Sequence, residues 1–503
     1  MNKSSKRLYI IGAGFAGTSI ASDIKRKKIF GKVVAFLDDD KNLIGKKIDA
    51  IPVIGPIANL ASILKCTEND EAIIAIPTAS IERIKEIYEL LRQAHFSHIK
   101  ILPSVSQIVN GTAHLVQARE INPLDILGRT PVTLSLKKSL SYLRGKRVLI
   151  TGAGGSIGSE LSRQLLSGGA ERLYLFGHGE NSIYNIEREL NILQKEGVGE
   201  KATVVPIIGD MKDKDYIDYI IAKTKCHVVF HCAAYKHVPL MEENQVAAVQ
   251  NNVFGTKNII DACLNHKVKR FVLISTDKAV SPVSVYGASK FLCEKLVLDI
   301  SKKAEKNQAF MFVRFGNVLG SRGSILPLFM KQIKTGGPVT VTDKNMERYF
   351  MTIPEACSLV LKAGGVGKNG ESYLLDMGEP IKILDIAEQI IRFSGFEPYK
   401  DIDIQFIGKR KGEREKERLW TKDESPKKTS YEKILLLSNN KFNSKNLLDL
   451  LEKLKMICEK DSKNPTLYRN KEKLLDVLCS YIPSLKKEYS KQFSLKKKLK
   501  IVR

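Results

Sequence analysis

No stretch of the 503 residues approaches the roughly 18 consecutive apolar residues that a membrane-spanning helix needs. The opening MNKSSKRLYII runs straight into a strand pattern rather than a signal peptide, so the expected location is the cytoplasm. The eight cysteines, at 66, 226, 232, 263, 293, 357, 458 and 479, never form Cys-x-x-Cys. Most sit in apolar runs, where a thiol packs as a small hydrophobe, so neither a disulfide framework nor a metal site is expected. Zinc-finger spacing, RNA-recognition signatures and basic-aromatic interleaving are missing as well, which argues against a nucleic-acid partner.

Acidic residues are outnumbered, 55 Asp and Glu against 81 Lys and Arg, for a formal net charge of +26. Such an excess favours anionic partners, either a membrane surface or phosphorylated small molecules. Residues 441–503 hold 17 Lys and Arg against 7 Asp and Glu and end in LKKKLKIVR. A solvated helical face with a frayed tail is the plainer reading of that charge. The sharper one is a peripheral contact with anionic lipid or a partner protein.

A chain of this length exceeds what one hydrophobic core supports, so two or three domains are expected. Two segments open alike. RLYIIGAGFAGTSIASDIKRK and RVLITGAGGSIGSELSRQLL each read as an apolar strand, a glycine-rich turn and an amphipathic helix. KVVAFLDDD, EAIIAIP and KILPSV follow the first; RLYLFG, TVVPIIGD, HVVFHCAAY, RFVLIST and FMFVRFGNV follow the second. Alternating strands and helices imply parallel sheets covered on both faces. The expected fold is α/β, with two tandem Rossmann-like doubly wound sheets and a C-terminal helical appendage. The first domain spans 1–128. A linker at 129–145 leads to a second domain at 146–420, and a basic helical extension at 421–503 contains LLDLLEKLKMICEK and KLLDVLCSYI.

A lone Gly-x-Gly-x-x-Gly is weak, but the second one follows a strand and opens a helix. Gly152, Gly154, Gly155 and Gly158, with Ser156 and Ile157 between them, allow close backbone approach and offer a helix N-terminus to a pyrophosphate. Asp210 is placed to meet the adenine edge. The strand RLYLFG ends in Phe176-Gly177-His178-Gly179 and lacks the residue that would choose the ribose substituent, so NAD is the expected cofactor and NADP the alternative. In the first domain Asp38 stands at a suitable distance from its glycines, yet no Tyr-x-x-x-Lys follows. A nucleotide-binding regulatory role and a packing relic both stand open for it.

The stretch ISTDKAVSPVSVYGASK then packs Thr276, Asp277, Lys278, Tyr286 and Lys290 just beyond a strand, more proton-handling groups than a fold needs. With TGAGGSIGSE, HCAAYKHVPLME, NNVFGTKN, RFGNVLGSRGSILPLF, TVTDKNMERYFMTI and GKRKGEREKERL, the chain resembles the polysaccharide-biosynthesis nucleotide-sugar 4,6-dehydratases. These are extended short-chain dehydrogenases/reductases acting on UDP-N-acetylglucosamine. The likeness extends over nearly the whole chain, including LPSV…INPLDILGR…PVTL. Long members usually carry transmembrane helices before the first Rossmann unit, which this sequence does not show, and several have Met where Tyr286 stands.

The resemblance implies a UDP-N-acetylhexosamine substrate converted to a 4-keto-6-deoxy sugar for a surface glycan. Tyr286 would take the 4-hydroxyl proton, its pKa lowered by Lys290 and the oxidised nicotinamide. Thr276 would hold the 4-oxygen, Lys278 would act as base at C5 and Asp277 as acid at the 6-hydroxyl. It adds Ala233, Ala234, Tyr286 and Lys290 to the cofactor contacts. Lys236 and His237 would border the sugar, Asn317, Arg322, Arg348 and Arg410 would lie on the nucleotide side, and Glu413 would meet the uridine ribose. The residues leave retention or inversion at C5 open, with the two-domain members favouring retention, and the superfamily's habit of pairing through the Tyr-x-x-x-Lys region implies a homodimer. A 4-epimerase, which needs no elimination acid, and a non-catalytic dinucleotide-sensing module are the alternatives.

Overall fold

The computed structural model describes residues 6–27, 31–64, 70–96, 98–102, 119–120, 140–199, 201–438, 444–460, 462 and 465–490. It divides into two compact units, residues 1–136 with 192–200 and residues 137–191 with 201–503. The linker residues 129–139, most of the LPSV…PVTL segment and the LKKKLKIVR tail lie outside the described residues, as does Cys66.

In the first unit seven described strands form one sheet: β1 (Arg7–Ile11), β2 (Lys32–Leu37), β3 (Lys47–Ile48), β4 (Ile51–Ile54), β5 (Asp70–Ile74), β6 (His98–Ile101) and β7 (Arg119–Glu120). Their order is β3-β4-β2-β1-β5-β6-β7, parallel from β4 to β6 and antiparallel at both edges. Leu8, Ile10 and Ile11 of β1 and Ile73 and Ile74 of β5 are buried, as the continuous apolar runs of a sheet covered on both faces require. Asp38 turns back onto the glycine turn, where one carboxylate oxygen accepts the Ala13 N–H at 2.6 Å.

The second unit is built on β8 (Arg147–Thr151), β9 (Arg172–Gly177), β10 (Thr203–Ile208), β11 (Val228–His231), β12 (Arg270–Thr276), β13 (Ala309–Phe315), β14 (Asn317–Leu319), β15 (Val339–Val341), β16 (Glu347–Arg348), β17 (Phe350–Thr352), β18 (Ser372–Leu375), β19 (Ile381–Lys382), β20 (Ile404–Phe406), β21 (Ser425–Lys428) and β22 (Ile434–Ser438). The main sheet runs β10-β9-β8-β11-β12-β13-β18-β22-β21, and three two-stranded sheets pair β14 with β17, β15 with β20 and β16 with β19. The chain winds from β8 outward to β10, then returns to β11 on the other side of β8. The order therefore reverses between β8 and β11, and a doubly wound sheet opens a crevice at the carboxyl ends of such a pair.

Residues 421–438, assigned by sequence to the helical extension, instead add β22 antiparallel to β18 and β21 antiparallel to β22. The run Ile434-Leu435-Leu436-Leu437 has no helical period, and a short apolar run of that kind is equally a buried strand. Pro426, Lys427 and Lys428 make β21 a poor template for a further strand. The helices Ser444–Cys458 and Lys471–Tyr481 do form. They bury Leu447, Leu450, Leu454, Leu474 and Leu478 in the core that also holds Val285 and Tyr286. The helix Val285–Ser301, expected to pair between subunits, has 14 of its 17 residues buried within its own unit. It keeps little apolar surface for a second copy. No described helix is long and apolar enough to cross a membrane.

Arg314 fixes the path of the segment that carries Leu419 and Glu424. Only 2% of its side chain is exposed, on β13, and its guanidinium donates to Glu294 at 2.7 and 3.1 Å, to Glu424 at 2.9 and 3.2 Å and to the Leu419 carbonyl at 3.1 Å. Replacing it with Ala strands two buried carboxylates. Arg314→Ala is expected to destabilise the second unit by about 3–5 kcal/mol, read from its chemical denaturation, and Arg314→Lys, which lacks the planar fork, recovers only part of that loss.

Candidate active site

The glycine turn after β8 tolerates no side chains where it meets the rest of the crevice. Gly152 has φ +65°, and a Cβ on it would lie 2.9 Å from Ala233. On Gly154 a Cβ would stand 2.5 Å from Ser182 Oγ, and on Gly158 it would stand 2.3 Å from the Gly152 carbonyl oxygen. The helix Ser156–Ser167 starts directly from this turn, with Gly155 before it and Ile157 in its first turn. Ala233 and Ala234 follow β11 on the opposite lip. This is a cradle that a pyrophosphate and its ribose can approach at backbone distance, which is the fit a dinucleotide needs.

A buried histidine ties the two lips together. His231 Nδ1 lies 2.7 Å from Thr151 Oγ1 and Nε2 lies 2.9 Å from Thr256 Oγ1, while Thr151 Oγ1 accepts the Cys232 and Ala233 N–H groups at 3.2 and 3.3 Å. Burial, helped by the Lys290 cation, pushes the His231 pKa down to about 3, so the imidazole is neutral. At the adenine end Asp210 stands two residues beyond β10, its side chain partly exposed beside Lys212 at 3.2 Å. His178 is exposed just beyond β9, and its neighbours Gly177 and Gly179 offer no charged side chain.

The proton-handling residues converge at the carboxyl end of β12. Thr276, its last residue, donates to Asp277 Oδ1 at 2.8 Å. Lys278 Nζ donates to the same oxygen at 3.0 Å and to Asn317 Oδ1 at 2.9 Å. Asp277 is fully buried, and its Oδ2 has no hydrogen-bond partner. Ser284 caps the next helix by accepting the Gly287 N–H at 3.0 Å. A Cβ on Gly287 would lie 2.3 Å from the Lys278 carbonyl oxygen, so only glycine lets helix and turn come this close. Tyr286 in the first turn has Thr276 and Asp277 among the groups that act on its phenol, so it belongs to the cluster. Lys290 Nζ donates to the Ile274 carbonyl at 2.7 Å.

The electrostatics correct one expectation. Burial, reinforced by the Asp277 carboxylate, pushes the Tyr286 phenol well above its ordinary range, whereas a lowering by Lys290 was expected. Lys290 is itself lowered, chiefly by burial. In the protein alone the phenol is therefore neutral.

The residues expected to touch substrate divide into two sets. Lys236 donates to Ser321 Oγ at 3.3 Å, and desolvation together with the Lys278 cation lowers its pKa. His237 packs its ring against Gly323, and the backbone N–H of Arg322 donates to Ser156 Oγ at 2.9 Å, so the loop 320–323 reaches the cofactor turn. Arg410 is exposed, and its N–H donates to Glu413 at 3.3 Å. Asn317 and Arg348, expected on the nucleotide side, are engaged elsewhere. Asn317 serves Lys278, and Arg348 donates to the carbonyls of Glu347, Glu415 and Arg414 at 2.7–2.9 Å.

Sequence reasoning missed Glu417. One of its oxygens lies 3.9 Å from Lys278 Nζ and 3.9 Å from Arg348 Nε, with the side chain 5% exposed. Nothing in the charged run GKRKGEREKERL distinguishes this acid from Glu413 and Glu415, because which of the three turns inward is decided by the fold.

Fold and site together define an extended short-chain dehydrogenase/reductase of the nucleotide-sugar dehydratase and epimerase type. Residues 148–439 match the family model described as polysaccharide biosynthesis protein, and the chain belongs to that family. Residues 2–103 match a model described as a CoA-binding domain. The chain is 42% identical over 432 residues to the probable polysaccharide biosynthesis protein EpsC of Bacillus subtilis, covering 86% of this chain and 71% of that one. A UDP-glucose 4-epimerase of Rickettsia rickettsii is 34% identical over 56% of this chain and 80% of its own. A UDP-N-acetylglucosamine 4,6-dehydratase (inverting) of Campylobacter jejuni is 30% identical over 66% of this chain and 97% of its own. Among solved structures, Pen from Bacillus thuringiensis superposes with a TM-score of 0.54 at 33% identity, over 59% of this chain and 91% of that one.

His231 makes stability depend on pH. Its folded pKa lies below the ordinary 6.5, so the unfolded chain takes up the proton first as pH falls, and stability that is complete above pH 6.5 is lost towards pH 3. Between about pH 7 and pH 5 this group alone is expected to cost about 2 kcal/mol. Comparing chemical denaturation at the two pH values for the protein and for His231→Gln checks it, since the variant loses that share of the slope.

Proposed function

We propose that the protein is a UDP-N-acetylglucosamine 4,6-dehydratase that uses NAD and supplies a 4-keto-6-deoxy sugar nucleotide for glycan assembly. The observation that carries this reading is the buried Asp277 oxygen without a partner, next to a lysine and one turn from a Tyr-x-x-x-Lys helix. The C6 hydroxyl can be lost as water only after C5–H becomes acidic, and that requires a ketone at C4. NAD, its pyrophosphate held by the glycine turn, would supply the oxidation at C4 and the hydride returned to C6.

The chain's own residues do the rest. Tyr286 accepts the 4-hydroxyl proton as the ketone forms, with Lys290 one helical turn on to favour the phenolate, and Thr276 steadies the 4-oxygen. Lys278 faces C5. Asp277 presents Oδ2 to the 6-hydroxyl and protonates it as the C6–O bond breaks, so that water leaves rather than hydroxide. NAD is favoured over NADP because no cation stands at the end of β9 to meet a 2′-phosphate. Lys236 and Arg322 line the loop side of the crevice, where a sugar diphosphate would bring negative charge.

Similarity to the Rickettsia enzyme favours a second reading, a 4-epimerase. It would use Tyr286 and Lys290 in the same way but would give the bare oxygen of Asp277 nothing to do. Incubation with the UDP-sugar and NAD separates the two by mass spectrometry. A dehydratase product is lighter by one water, and an epimerase product is unchanged in mass with C4 inverted. Asp277→Asn is expected to lower dehydration by about 10²–10⁴-fold while reduced nicotinamide still appears in the near-ultraviolet. Near-normal turnover in that variant would instead establish the epimerase.

A further inference from the structure

Glu417 enters the proton-handling cluster from a segment that shares no element with β12 or the Tyr286 helix. The groups that face it are Lys278 and Asp277 from the turn after β12, Arg348 from β16 and Arg414 from its own segment. Arg348 spends its donors on three backbone carbonyls, and Arg414 on the carbonyls of Val280 and Ser281. Among the described residues no side chain gives Glu417 a hydrogen bond, and the ion-pair distances of 3.9 Å are at the edge of contact. A carboxylate this buried, without donors, is costly to keep charged. Burial, reinforced by Asp277 and opposed by Lys278 and Arg348, raises its pKa above the usual carboxyl range.

Lys278 Nζ lies between the two acids, 3.0 Å from Asp277 and 3.9 Å from Glu417, and a base at C5 must be a neutral amine. We propose that Asp277 and Glu417 hold one proton between them across Lys278, and that Glu417 is the final acceptor of the C5 proton. In the free protein the proton rests on Glu417, whose ionised form burial disfavours; for elimination it is carried on Asp277 Oδ2, where the 6-hydroxyl would lie, and Glu417 is ionised. Lys278 first gives one proton to Glu417, and the neutral amine so formed takes the C5 proton as the C5–H bond breaks. The C5 electron pair forms the C5–C6 double bond, the C6–O bond breaks, and the Asp277 proton leaves with the oxygen as water. Afterwards Glu417 is neutral and Asp277 ionised, so the buried charge of the unit is the same on both sides of the step. The role at C5 rests on the dehydratase reading, whereas the shared proton does not.

Two measurements test it on the full-length protein. Infrared difference spectroscopy on the free protein should show one protonated buried carboxyl at neutral pH. That band should be lost in Glu417→Gln and equally in Asp277→Asn, because each remaining carboxyl then faces Lys278 without a like-charged neighbour. A band that survives in both variants overturns the proposal, whatever the substrate. In single turnover, Glu417→Gln should form reduced nicotinamide within about threefold of the parent rate. Loss of water and exchange of the C5 hydrogen with heavy water should fall by about 10²-fold or more, with Glu417→Asp regaining part. The pH dependence of the elimination should move while that of the oxidation stays. An unchanged elimination profile, or an equal loss of oxidation and elimination, overturns the role at C5. A parent protein that shows the carboxyl band but never dehydrates the UDP-sugar refutes the substrate reading and leaves the shared proton standing.

Discussion

A carboxylate buried with one oxygen satisfied and the other bare costs roughly 1–3 kcal/mol, and the surroundings of Asp277 are arranged to keep it there. Thr276 and Lys278 hold one oxygen, and Gly316 stands against the other: a Cβ on it would come within 3.0 Å of Oδ2. Gly287 lets the Tyr286 helix close on the same turn. Each device works only at the carboxyl end of β12, between parallel neighbours β11 and β13, so the sheet order comes before the chemistry.

The network around Arg314 shows how that position is held from outside. Glu294 on the Tyr286 helix accepts from both Ser275 and Arg314, and Glu424 accepts from Arg314 just beyond the segment that carries Glu417. One guanidinium thus connects β12, β13, the catalytic helix and the returning chain. The arrangement puts fully paired charges behind the site and incompletely paired ones in it, a division expected where polar groups must remain available to a substrate.

Much of this was legible in the sequence, and the limit is physical. The two glycine turns, the strand-and-helix alternation and the Thr276-Asp277-Lys278 and Tyr286-Lys290 sets are local patterns, because one turn or one helical repeat brings their members together. Glu417, Asn317 and Arg348 join the cluster from 40 to 140 residues away along the chain. Their identity depends on which side of a loop faces inward, and no periodicity records that. The strand pair at 425–438 escaped for another reason. Four apolar residues in a row carry no period, so only the free edge of β18 decided that they extend a sheet.

The two glycine turns show how a shared plan yields different sites. In the first unit Asp38 takes the Ala13 N–H at 2.6 Å, so the carboxylate at the end of β2 closes onto the turn. In the second, the equivalent strand ends without an acid, and the Ala153 N–H goes to the Phe176 carbonyl at 3.2 Å instead. The second crevice is accordingly poorer in negative charge near the cofactor turn, and beyond it stand Lys236, Lys278 and Arg322. Lys236 has the Ser321 hydroxyl as its hydrogen-bond partner and the Lys278 cation as a neighbour, an arrangement that disfavours its charged form. An anionic ligand reverses that balance by supplying the countercharge the protein withholds. Lys236 thus marks the side of the crevice where negative charge is best received, since an anion there would restore to its ammonium the stability that burial takes away.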